Sequence, residues 1–408
     1  MNVPHYIRRY EDLGFGLFLH WGLYSQLEDG EWTWFHNRRR QDEYVALFDR
    51  FDAKGFDAEA LARWAKGIGL RYLCLTTRHH EGFSLYDTRG LNTFDAPHSP
   101  AKRDLVREFS EACDRHGLGK FFYHTTLDWW HPDFDGNWDT YQKYLRDSIE
   151  ILCTHYGKVD GLWFDGNWAR RERDWQEDAL YGLIRRLQPE CIIVNNSSLG
   201  AHGAVGHPMT DVRTFEQGAV AAQADTSGGR YRALEVCDTF GTHWGTAHLD
   251  LGLKGPGAII ERLAACRRHR ANYLFNIGPC PDGSLPAFEK AALDLVGRWS
   301  APLSQALSTA QPAKVVCTGK DFVLFEGKNA WYFAHDLPTA TNHHCMQVKP
   351  RHGLLTVEGP LPKLECISWT DNGETLDFTQ GPGQLVFHAT QFPYGKNTVV
   401  RVAHLQFA

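Results

Sequence analysis

The sequence predicts an α/β protein: a (β/α)8-like TIM barrel followed by a small C-terminal β-sandwich. Two observations predict it. Over roughly the first 300 residues, short apolar runs alternate with amphipathic helical patterns in seven or eight units, which favours a closed barrel over an open doubly wound sheet. Beyond Ala301 the pattern changes to short alternating runs separated by turn sequences such as "DNGE" and "GPGQ", the signature of a sandwich. The expected domains are 1–305 and 306–408, joined through the connector "SAPLSQALSTAQPAK". No glycine-rich phosphate loop follows any strand, which weakens a nucleotide-binding reading.

The elements follow in order. "FGLFLH" (Phe15–His20) reads as a buried strand. The helix at Asp57–Gly67 is marked by Leu61, Trp64, Ala65 and Ile68 at i, i+3, i+4, i+7 spacing. Strand Tyr72–Thr76 and helix Asp104–His116 come next, the helix carrying Leu105, Val106, Phe109 and Cys113 on one face. Then come strand Phe121–Thr125, helix Trp138–Tyr156, strand Gly161–Asp165, helix Trp175–Leu187 and strand Cys191–Asn195. The stretch from Ser197 to Arg230 has no clear period. Strand Ala233–Cys237, helix Gly257–Arg270, strand Asn272–Asn276 and helix Pro286–Trp299 complete the barrel series. The runs "KVVCT", "DFVLFEG", "AWYFAH", "LLTVEG", "QLVFHA" and "TVVRVAHL" supply the sandwich.

Composition narrows the function. A net charge of −6 argues against nucleic-acid binding, and Arg38-Arg39-Arg40 reads as a solvated turn. No apolar run approaches the roughly 20 residues of a membrane span. The ten cysteines have no metal-ligand spacing, and several lie in apolar stretches where a thiol acts as a small hydrophobe. The first dozen residues lack an apolar signal core, so a reduced, cytoplasmic protein is expected. The 14 Trp and 15 Tyr suit stacking on sugar rings, or equally a core rich in large residues.

A TIM barrel carries its active site at the C-terminal ends of its strands. Those ends here read His20-Trp21-Gly22, Arg78-His79-His80-Glu81-Gly82, Tyr123-His124 with Asp128-Trp129 beyond, Trp163-Phe164-Asp165-Gly166, and Asn195-Asn196. Glu216, then Glu235 with Asp238, and finally Asn276 follow. Trp163 and Asp165 are two apart and share one side of their strand, so an inward Trp163 brings Asp165 into the pocket. Each group also has a structural reading: a lone strand-end His is commonly a hydrogen-bonded structural residue, and Asp165 could cap the next helix. His79 and His80 could ligate zinc, but metal barrels of the amidohydrolase type open with His-x-His on the first strand and this chain has His20-Trp21; no metal or cofactor is expected. Paired carboxylates with aromatic and imidazole surroundings suit glycoside hydrolysis.

"FGLFLHWGLYS", "RYLCLTTRHHEGFSLYDT", "VDGLWFDG", "EVCDTFGTHWG" and "NYLFNIGPCPDGSLP" together resemble the α-L-fucosidases of glycoside hydrolase family 29, over about residues 14 to 299 and in the expected order. The resemblance implies a retaining exo-hydrolase that removes terminal α-linked L-fucose from oligosaccharides or glycoconjugates without a metal. It places the nucleophile on Asp165 and sugar-hydroxyl contacts on His20, His79 and His80. Glu31, Trp32, Tyr123 and Trp163 become pocket residues. For the acid/base, "TDVRTFEQ" resembles the family's Thr-Pro-Glu segment with Phe215 in place of Pro, which selects Glu216; Glu235 in "LEVCDTF" is the rival. One departure stands out. Many members carry an Arg just after strand five, where this chain reads "VNNSSLG"; Arg213 is a candidate substitute. A related sugar such as an α-L-galactoside, a non-catalytic fucose-binding protein and a metal-dependent hydrolase therefore stay open as alternatives, as do linkage preference and oligomeric state.

Overall fold

The computed structural model describes residues 3–196, 202–220, 230–337, 353–390 and 399–408. Chain contacts divide it into two compact units, Met1–Leu253 with Asn272–Lys290, and Lys254–Ala271 with Ala291–Ala408.

The first unit holds eight parallel strands: β1 (Phe15–Leu19), β2 (Tyr72–Arg78), β3 (Gly119–Thr125), β4 (Gly161–Asp165), β5 (Ile192–Asn196), β6 (Val212–Glu216), β7 (Ala233–Thr239) and β8 (Asn272–Ile277). They are ordered β5-β4-β3-β2-β1-β8-β7-β6, a nearly closed TIM-like barrel. Asp57 and Asp104 are not the first residues of their helices but their N-caps, and Asn137 caps the helix that starts at Trp138, each accepting a backbone N–H three residues on.

β6 lies inside the stretch that shows no period in the sequence. Its inward positions are Val212, Thr214 and Glu216, only one of them apolar, and Arg213 interrupts the run on the other face. Polar residues at inward positions thus mask the strand that carries Glu216.

Large aromatics fill the barrel interior. Phe18, Tyr72, Phe121, Tyr123 and Trp163 cluster there, and the N-terminal helix His5–Glu11 adds Ile7 and Tyr10 to the same cluster. Space for these rings comes from inward glycines. A Cβ on Gly161 would lie 2.0 Å from the Phe121 ring, and one on Gly16 would lie 2.3 Å from that of Tyr72.

The β5–β6 seam is bridged mainly by one residue. Asp211 N–H donates to Ile193 O at 2.9 Å, and the Asp211 carboxylate accepts the Ile193 N–H at 2.9 Å. The same buried carboxylate takes the Tyr6 hydroxyl at 3.0 Å and pairs with Arg185 and Arg230.

The second unit contains antiparallel sheets of four and five strands. Val323, Tyr332, Leu355, Ile367, Leu385, Phe387 and Leu405 lie in their shared core. No cysteine among the described residues is in a disulfide, and no helix among them is long and apolar enough to cross a membrane.

Removing a charge from a buried, doubly paired carboxylate strands its partners. Asp211→Asn is expected to lower unfolding stability by about 3–5 kcal/mol, measured by urea denaturation. A change within error would show that the seam does not depend on this group.

Candidate active site

Strand alternation delivers side chains from five strands, and loops deliver the rest, to one small pocket at the barrel mouth. Phe18 and Tyr123 form its inner end together with Trp163. Around them stand His20, Trp32, His79, His80, Asp165, Trp168, Asn196, Glu216 and Trp244.

Asp165 faces this pocket and caps no helix. Trp168 Nε1 donates to Oδ1 at 2.9 Å, the Tyr123 hydroxyl donates to Oδ2 at 3.3 Å, and His80 Nε2 lies 3.5 Å from Oδ2. Its backbone carbonyl is fixed by the Thr126 N–H at 2.7 Å and the Thr126 hydroxyl at 2.9 Å. Gly166 then turns the chain at φ 117°, where a Cβ would lie 2.6 Å from Leu127 N.

Glu216, at the end of β6 and two strands on from Asp165, accepts Asn196 Nδ2 at 2.8 Å. Burial, and after it the Asp165 charge, raise its carboxyl above the usual range; the Asn196 and Trp244 donors offset this in part. One carboxylate with three polar neighbours and a second that holds its proton more tightly line one pocket, an arrangement able to supply a nucleophile and an acid.

Glu235 is elsewhere. It sits in the barrel interior below the pocket, accepting Tyr10 OH at 2.5 Å, Trp163 Nε1 at 2.9 Å, Thr214 Oγ1 at 3.2 Å and Tyr72 OH at 3.3 Å. It does not line the pocket. Its hydrogen bonds fasten the helix His5–Glu11 and three strands to one another.

Glu31 also departs from the pocket role that the resemblance implies. It is buried, and its Oε2 accepts the N–H groups of Trp244 and Gly245, both at 2.9 Å. It therefore sets the loop that presents Trp244, while its neighbour Trp32 lines the pocket and stacks on Trp168 at 5.7 Å. Arg213, on the outward face of β6, donates to Gly203 O at 2.7 Å and lies over the Phe215 ring, so it does not enter the site. The segment Ser197 to Ala201, where many members carry their Arg, lies outside the described residues.

The histidines are buried. His20 Nδ1 lies 2.6 Å from Asn276 Oδ1, and burial lowers its pKa to about 3. Burial, then the neighbouring His80 and His20, hold His79 well below the usual imidazole range. His80 Nδ1 meets Thr125 Oγ1 at 2.7 Å. Among the described residues no group of three or more His, Cys, Asp or Glu side chains is placed to hold a metal ion.

Behind His79 lies Glu81, fully buried, with Oε2 3.5 Å from His79 Nδ1. Burial pushes its pKa up to about 8, against the weaker pull of the Glu81 and Leu23 N–H groups. The carboxyl rests against Gly22, where a Cβ would come within 2.4 Å of Oε1.

The chain matches the family model described as alpha-L-fucosidase over residues 2–302. It is similar to the tissue alpha-L-fucosidase of Mus musculus, 26% identical over 89% of this chain and 85% of the relative. It is also similar to that of Bos taurus, 24% identical over 86% and 77%. Among solved structures, alpha-L-fucosidase isoenzyme 1 from Paenibacillus thiaminolyticus superposes with TM-score 0.83 at 25% identity, covering 99% of each chain. A Bacteroides thetaiotaomicron alpha-L-fucosidase, solved as a trapped covalent intermediate, shares the fold with TM-score 0.81 at 22% identity, over 99% of this chain and 96% of that one.

The buried Glu81 has a measurable consequence. Its folded pKa of about 8 exceeds the ordinary 4.5, so the folded state holds a proton that the unfolded state releases between those values. Stability from this group is full below the lower value and falls as pH rises toward the upper, by at most about 1.4 kcal/mol per pH unit. Glu81→Gln should flatten that decline in thermal melts taken from pH 5 to about 8; an unchanged slope would show that Glu81 is ionised in the fold.

Proposed function

The chain belongs to the α-L-fucosidase family of glycoside hydrolases, and from that premise we propose that it cleaves terminal α-linked L-fucose from fucosylated oligosaccharides by double displacement, with Asp165 as nucleophile and Glu216 as acid/base. The observation that carries the assignment is that Asp165 and Glu216 line one pocket while Glu235 is engaged below it.

In the first step Asp165 attacks the anomeric carbon as Glu216 gives its proton to the departing glycosidic oxygen, leaving a β-fucosyl ester on Asp165. Tyr123 and Trp168 hold the Asp165 carboxylate in place for that attack. In the second step Glu216, now ionised, takes a proton from water, and the hydroxide released to the anomeric carbon displaces Asp165 with net retention. The covalent state trapped in the Bacteroides protein is the kind of intermediate this scheme requires.

The surrounding groups suit a deoxyhexose. His20, His79, His80 and Asn196 offer polar atoms to ring hydroxyls, while Phe18, Tyr123 and Trp163 offer the apolar surface that a C6 methyl needs. The Tyr123 and Trp163 rings stack at 5.7 Å and 21°, giving that surface a fixed shape.

Replacing each carboxylate separates the roles. Asp165→Gly is expected to abolish turnover of an aryl α-L-fucoside, with azide restoring it as the β-fucosyl azide. Glu216→Ala is expected to lose about 10²–10⁴-fold for leaving groups that need protonation, with azide giving the α-azide. The wild-type rate should fall as pH rises through the raised Glu216 pKa, because the first step needs its proton. An α-azide from Glu235→Ala, and none from Glu216→Ala, would overturn the assignment.

A further inference from the structure

Asn276, at the end of β8, touches the pocket only through its neighbours. Its carboxamide makes two short hydrogen bonds: Nδ2 donates to Trp244 O at 2.6 Å, and Oδ1 lies 2.6 Å from His20 Nδ1. The first settles the second. A carbonyl oxygen can only accept, so the amide NH2 must face Trp244, and the amide oxygen must then face His20. An acceptor at Nδ1 requires the proton to be on Nδ1. The reverse orientation would set two oxygens 2.6 Å apart, a contact with no donor in a buried site.

We propose that Asn276 is a positioning residue that locks His20 as the Nδ1–H tautomer, so that Nε2 presents a lone pair to the pocket and reads a sugar hydroxyl as a hydrogen-bond donor. This rests on the reading of the pocket as a fucoside site, but the tautomer itself does not depend on any substrate.

The same carboxamide ties His20 to the loop that carries Trp244. Glu31 fixes that loop from its other side through the Trp244 and Gly245 N–H groups, and the Trp244 ring packs on His20 at 5.0 Å. Trp244 also donates to Glu216. One hydrogen-bonded chain thus runs from Glu31 through the Trp244 backbone and Asn276 to His20, and it sets a sugar-reading group and a donor to the acid/base together.

Neutrality of His20 is essential to this role, since an imidazolium cannot accept at Nε2. The groups around the ring are His79, His80, Tyr123, Asp165 and Asn276. Burial dominates and keeps the ring neutral; the Asn276 hydrogen bond and, after it, the Asp165 charge pull toward the cation, and His80 opposes them. Asn276 supplies an acceptor without adding a negative charge. Aspartate, of the same shape, would add that charge beside Nδ1 and set an oxygen against Trp244 O.

Long-range ¹H–¹⁵N spectra of the ¹⁵N-histidine-labelled protein, with the His20 signals assigned by their loss in His20→Gln, test the tautomer directly. The expected result is a proton on Nδ1, an unprotonated Nε2 and no titration between about pH 5 and 8. A proton on Nε2, or titration in that range, overturns the proposal whatever the substrate proves to be. In Asn276→Asp, His20 should begin to titrate in the same range. The kcat/KM for an aryl α-L-fucoside should then gain an acid limb, about tenfold or more below wild type at the low end and recovering as pH rises. A uniform loss at every pH, or a profile that superposes on wild type, marks Asn276 as merely structural and overturns the proposal. Absence of fucoside turnover by the wild-type enzyme would instead strike the functional reading, leaving the spectra to judge the tautomer.

Discussion

A carboxylate withdrawn from water must be given donors or take up a proton, and that constraint orders this barrel from its base to its mouth. Asp211, at the seam, is surrounded by two guanidinium groups, a hydroxyl and a backbone N–H. Glu235, higher in the interior, is satisfied by two tyrosines, an indole and a threonine. Asp165 and Glu216, at the top, have fewer fixed partners and face an open pocket. The acids with complete shells tie strands together; Asp165 and Glu216 keep room in their shells for a sugar hydroxyl or water. Number of partners, more than sequence position, distinguishes Glu216 from Glu235.

The barrel was legible because its strands are buried on both faces and its helices carry one apolar stripe, so the two patterns alternate plainly from Phe15 to Trp299. Asp165 was legible from a two-residue step: once Trp163 is inside, so is Asp165. β6 was not, because of its three inward residues only Val212 is apolar, while Thr214 bonds the buried Glu235 and Glu216 lines the pocket. The donors Trp168, Asn196 and Trp244 were also missed. Trp168 and Trp244 follow strands, where no periodicity constrains a side chain, and Asn196 is the last residue of β5. Yet Asn196 stood at a strand tip and Trp244 lay within "EVCDTFGTHWG", so their positions were visible while their aim was not.

Glu31 shows the limit of a local motif most clearly. Its neighbourhood brought it to the right end of the barrel, but its role depends on backbone groups of residues 244 and 245, far along the chain. Neither spacing nor residue type carries that information. Arg213 fails for the opposite reason, since strand alternation alone turns it away from Glu216.

The contact of Gly22 with Glu81 joins two of the segments that make the chain recognisable. With no room for a Cβ at 22 while a glutamate fills the space at 81, neither position can drift alone. A methyl group at the first would press on the Tyr24 ring at 2.7 Å as well as on the Glu81 carboxyl, and a shorter side chain at the second leaves a void behind His79. Three residues from two distant segments are thus fitted to one another, and a change at any of them is felt by the other two.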